Sequence, residues 1–138
     1  MNSELSATLH TALASGDLLL SSHENITALL AFGNLTWKDV TRVDFPGFGQ
    51  AMDGIIANQV DAAFASTISG NAYKIASSPR GIHYPTVPHG DKAGWARLNK
   101  TAPFFIPFMG IEGADMSKEK PVEAATYPYP VLMSYDNL

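Results

Sequence analysis

Apolar residues recur along this chain in two rhythms. Spacings of three and four, the period of an amphipathic helix, run through Leu5, Leu9 and Leu13, through Ile26, Leu29 and Leu30, and through Met52, Ile55 and Ile56. The first set predicts a helix over 3–14, capped by Ser3 and ended by Gly16. The second predicts a helix from Ser21 or Ser22 to Phe32, closed by Gly33 and Asn34, and the third a helix over 49–59. Shorter apolar runs between breakers read as strands. Residues 17–20 have the length of a short buried strand, and 40–45 alternate until Pro46 and Gly47 stop them. Residues 61–65 are apolar throughout after Asp61, as a strand buried on both faces would be. Residues 81–87 are rich in β-formers, with Pro85 marking an edge or a bend. Thr36 to Asp39 reads as a capped turn, Ser69 or Gly70 opens a helix to about Ser77, and 91–100 form a short helix.

Beyond residue 100 the texture changes. Pro103, Pro107, Pro121, Pro128 and Pro130 interrupt aromatic-rich extended stretches, and 129–135 is the best late strand. The alternation of strand and helix up to residue 100 predicts a three-layer α/β fold with a mostly parallel sheet. A chain of 138 residues is expected to form a single domain. It divides into an N-terminal segment (1–21), an α/β core (22–100) and an aromatic, proline-rich extended region (101–138).

Composition narrows the function. Net charge is −4 and the nine Lys and Arg residues are scattered, so no basic stripe marks a nucleic-acid footprint. No run of about 18 apolar residues predicts membrane insertion. Cysteine is absent, which excludes disulfides, thiolate metal sites and a cysteine nucleophile. His10, His23, His83 and His89 lack metal-ligand spacing. Neither a G-x-S-x-G elbow nor an H-E-x-x-H motif occurs. The expectation is a non-enzyme with no cofactor and no metal. The N-terminus has no basic, apolar leader pattern, so the chain as written reads as cytoplasmic unless a leader lies outside it.

Two loops carry candidate chemistry. Gly47, Phe48, Gly49 and Gln50 lie between a predicted strand and a helix N-terminus, where free N–H groups and the helix dipole favour an anion. Phe48 could stack on a ligand; the alternative is an ordinary tight turn. Thr67, Ser69, Gly70 and Asn71 place hydroxyls and an amide at the next helix start, suited to orienting a polar solute. Capping by Ser69 or Thr67 is expected there in any case. Asp61 reads as structural, accepting backbone N–H groups where a strand begins.

Taken in order, Gly33 to Val40, Gly47 to Ile55, Val60 to Phe64 and Pro103-Phe104-Phe105-Ile106-Pro107 resemble the solute-binding subunits of tripartite ATP-independent periplasmic (TRAP) transporters, in the TAXI group. The resemblance covers roughly residues 28–135 and leaves 1–21 poorly matched. It implies one lobe of a type II periplasmic binding protein, mainly the second, from a clamshell about twice this length. That family's glycine-rich loop has no counterpart at Leu19 to His23.

By resemblance, the chain would be periplasmic and bind a small carboxylate weakly, through Gly47 to Gln50 and Thr67 to Asn71. TRAP membrane subunits would be its partners. The alternative is a stand-alone dimeric interaction module with no solute-binding or transport role. Either way, the aromatic tail and the missing lobe predict apolar surface and a homo-oligomer.

Overall fold

A computed structural model describes residues 12–16 and 20–128. Its elements are β1 (Ala12–Gly16), α1 (Leu20–Phe32), β2 (Thr41–Phe45), α2 (Phe48–Ile56), α3 (Gly70–Ala76), α4 (Lys92–Thr101), β3 (Ile106–Gly110) and β4 (Val122–Thr126). The described residues form a small α/β domain with four helices and two strand pairs.

β1 and β2 pair in parallel, from Ala12 opposite Thr41 to Gly16 opposite Phe45, with α1 as the crossover a parallel pair requires. β3 and β4 pair antiparallel, from Ile106 opposite Thr126 to Gly110 opposite Val122. On the outer side of β4, the Val87 N–H donates to the Glu123 carbonyl at 2.8 Å.

Several expectations need correction. The helix predicted over 3–14 meets a strand at Ala12–Gly16; pairing with β2 overrides the local helical period there. The rest of that range, residues 17–19 and the strand expected over 129–135 lie outside the described residues. Leu20 belongs to α1. Residues 61–65 and 81–87, expected as parallel strands, form no ladder; Ala62 contributes a single bridge. Pro85 has no N–H to give a neighbour, and Gly81 turns the chain at φ +68°. α2 stops at Ile56, short of residue 59, because Asn58 adopts a left-handed φ of 59°.

Helix ends follow the sequence closely. α1 closes as a Schellman motif: the Leu35 N–H reaches the Leu30 carbonyl at 2.9 Å and the Asn34 N–H reaches Ala31 at 3.0 Å. Asn34, at φ 60°, takes the left-handed position. Asp91 caps α4, its carboxylate accepting from the Gly94 N–H at 2.9 Å. The predicted turn at 36–39 is held by Asp39, which accepts from the Thr36 N–H and hydroxyl, both at 2.8 Å.

Apolar burial gathers into three clusters. Ala28 and Phe32 of α1 pack on Trp95 and Leu98 of α4, with Val87 and Phe105. The Phe32 and Trp95 rings meet edge to face at 5.9 Å. Ala51 and Met52 of α2 pack on Val60 and Ile75. Ile26 and Leu30, on another side of α1, pack against Leu35, Trp37 and Phe64. The clusters stay separate, and the space where they converge is the candidate site.

Candidate functional site

A cavity of about 400 Å³, partly open to solvent, is lined by members of all three clusters. Leu30, Met52, Ile75 and Phe105 supply apolar wall. The segments 61–65 and 80–85 flank it. A dry, closed void of that size would cost on the order of 10 kcal/mol at about 24 cal/mol per Å³. That is comparable with the whole stability of a typical domain, and the opening to solvent lets water fill the space.

Polar groups sit at its margin. Arg80 donates to Asn58 Oδ1 at 2.7 Å and to the Ile55 carbonyl at 3.3 Å, and its Nη2 lies 3.7 Å from the Asp61 carboxylate. Its side chain stays about 42% exposed. Asp61 thus pairs with a cation at the mouth.

The loop around Ala114 ties the two flanks together. The Ala114 N–H donates to the Thr67 carbonyl at 2.9 Å, and the Ala114 carbonyl accepts from the Tyr84 hydroxyl at 3.0 Å. Burial holds the Tyr84 hydroxyl above its usual pKa, with the charges of Asp115 and Tyr73 acting in the same direction.

Of the predicted site residues, Thr67 lines the cavity. Ser69 is the N-cap of α3, its hydroxyl accepting from the Ala72 N–H at 3.2 Å. Gly70 and Asn71 form the first turn of that short helix. Gly47 is the N-cap of α2, extended at φ −170° and without a side-chain cap. Phe48, Gly49 and Gln50 are exposed, and Gln50 folds back so far that a Cβ on Gly47 would meet its Oε1 at 2.7 Å. Gly47 to Gln50 are not among the cavity's lining residues. The structure therefore does not bring the two loops together around this space.

Arg80 and Tyr84 escaped the sequence reading. A lone arginine heading an apolar extended run (residues 80–87) was the available signal, because a cation there is placed beside buried surface.

His23 and His89 have structural partners. His23 stacks on Trp37 at 4.8 Å. His89 Nε2 lies 3.2 Å from the Phe108 carbonyl and 3.3 Å from that of Ala124. Among the described residues no three acidic or histidine side chains cluster as metal ligands, and no helix is long and apolar enough to cross a membrane. Comparison with protein-family profiles, curated proteins and solved structures found no match.

Proposed function

We propose that this domain binds a small carboxylate solute reversibly, without covalent chemistry, in the cavity where the three clusters meet. One observation carries the reading: an apolar cavity of ligand size has a half-exposed arginine, Arg80, at its mouth. Arg80, bonded through Nη1 to Asn58 and Ile55 and lying 3.7 Å from Asp61, would turn its remaining N–H groups to the carboxylate, and the apolar wall takes the body of the solute. The reading extends to architecture. The domain would be one lobe of a TAXI-like receptor, built as a three-layer, mostly parallel α/β lobe. The parallel β1–α1–β2 unit supports that extension. A second lobe and TRAP membrane subunits would then be its partners. One lobe leaves the ligand half open, so affinity is expected near millimolar, about 4 kcal/mol.

Titration of the labelled chain with glutamate, 2-oxoglutarate and succinate tests this by amide NMR. Shifts at Phe64, Ala65 and Ile82 that Arg80→Gln weakens support it. Shifts confined to Phe48 to Gln50 would move the site to the start of α2, and no shift at high millimolar ligand removes the receptor reading.

One observation favours the second reading, a dimeric interaction module. Ile106, Phe108 and Met109 of β3 are 57%, 45% and 42% exposed. Glu123 turns its carbonyl outward to Val87, so Met109 opposite it also points its backbone outward. Pro107 shares that phase, and its missing N–H blunts the free edge of β3. Self-association would thus use the apolar faces of β3 rather than edge pairing. Light scattering over a concentration series decides; a constant mass of 14.8 kDa excludes the dimer.

A further inference from the structure

We infer that the part of the solute inside this cavity is an unbroken hydrocarbon body, with its carboxylate as the one charged group. The inference rests on the reading of the cavity as a carboxylate site and narrows its class. Its own warrant is how the lining divides. Apolar side chains reach the cavity from α1 (Leu30), α2 (Met52), α3 (Ile75) and β4 (Val122), and from Phe105 and Met116. Among the described residues, every polar lining side chain belongs to one of two segments, 61–67 and 80–84. Asp61 is the one acidic residue there and Arg80 the one lysine or arginine, and the two lie 3.7 Å apart. The Tyr84 hydroxyl is committed to the Ala114 carbonyl at 3.0 Å. That leaves Thr67, which carries no charge, and His83, which is exposed.

A solute must suit that division. A second carboxylate would find no lysine or arginine of its own among the lining residues. An α-ammonium would have to draw Asp61 away from Arg80. Either charge set deeper would lie against apolar wall, where it loses its water without gaining a partner. A hydrocarbon body meets no such cost. It displaces water that finds few partners on that wall, and each methylene it buries tightens binding about three- to fourfold. At about 30 Å³ for each water-sized group, 400 Å³ holds on the order of ten carbons, so the gain with length has an end.

Calorimetry on the full chain tests this with butanoate, hexanoate, octanoate, dodecanoate and tetradecanoate, kept below micelle formation, beside succinate and octanol. Methyl NMR of labelled methionines locates the site, because Met52 and Met116 line the cavity while Met109 is exposed on β3. Affinity should rise at least tenfold from butanoate to octanoate, with shifts at Met52 and Met116. Octanoate should bind about tenfold or more tighter than succinate, and tetradecanoate less than about twofold tighter than dodecanoate. Succinate binding as tightly as octanoate overturns the hydrocarbon body and leaves a carboxylate site standing. A gain that continues through tetradecanoate, or shifts confined to Met109, overturns it as adsorption on open apolar surface. Octanol binding as tightly as octanoate, with octanoate unweakened in Arg80→Gln, overturns the carboxylate and the receptor reading while the hydrocarbon body stands. Silence from every probe overturns both.

Discussion

Gly113 lies so close to Thr67 that a Cβ on it would stand 2.8 Å from the Thr67 carbonyl oxygen. The next residue, Ala114, donates its N–H to that oxygen at 2.9 Å. Gly113 also sits at φ +140°, where an L side chain is strained. Sterics and backbone thus require glycine for the bond that anchors this flank of the cavity. Gly113→Ala is expected to lower stability by about 1–3 kcal/mol, read as a lower urea midpoint with an unchanged slope. Gly90→Ala, where a Cβ meets nothing within 4 Å, is the control and should stay within about 0.5 kcal/mol of the native protein.

Tyr84 holds the other flank through its bond to the Ala114 carbonyl. Tyr84→Phe should cost about 1 kcal/mol, the net value of a typical hydrogen bond. Its pH dependence has a definite sign. Burial raises the hydroxyl's pKa in the folded state, so folding holds that proton more tightly than the unfolded chain does. The contribution is full below about pH 10, the unfolded value, and is lost as pH rises through the folded one. Native protein should therefore lose more stability than Tyr84→Phe between neutral pH and strong alkali, measured by denaturant midpoints across that range.

Local chemistry was legible in the sequence. The cap at Ser69, the turn at Thr36 to Asp39 and the closure of α1 at Asn34 each involve residues at most five apart, and each formed where expected. Long-range pairing was not legible. β4 reads Val-Glu-Ala-Ala-Thr, a poor strand by propensity, and exists through its register with β3. Ala12–Gly16 is a strand because β2 lies beside it. The cavity was invisible for the same reason. It arises where three clusters fail to merge, and Arg80 and Tyr84 reach it from a segment that formed no ladder.

Asn25 is a buried polar residue, 2% exposed on α1. Its side-chain amide makes no hydrogen bond among the described residues. An unpaired buried amide costs free energy that an apolar isostere does not. Asn25→Leu keeps the branched shape, but its two methyl groups are larger than the amide's oxygen and nitrogen, so part of the roughly 1–3 kcal/mol gained by removing the amide is lost to overpacking and a net gain of about 1 kcal/mol is expected. Thermal and urea unfolding both read this out, and a destabilised Asn25→Leu would show that overpacking or a partner of the amide outweighs the gain.

Arg97 closes α1 from α4. Its Nε donates to the Ala31 carbonyl at 2.9 Å and its Nη2 to the Phe32 carbonyl at 2.6 Å. Ala31 already receives the Asn34 N–H of the Schellman motif, so the Phe32 carbonyl depends on Arg97 for its partner among the described residues. A positive charge at a helix C-terminus also complements the dipole. Arg97→Met keeps the apolar stem but removes both donors and the charge. It should cost about 1.5–3 kcal/mol, the range for hydrogen bonds made by charged groups. Arg97→Lys keeps the charge but lacks the planar fork, so it can serve one carbonyl well and not both. Its loss should fall between native and Arg97→Met. Equal losses for the two variants would mean that geometry alone matters here, and no loss for Arg97→Met would show that the α1–α4 contact rests on Phe32, Trp95 and Leu98 without it.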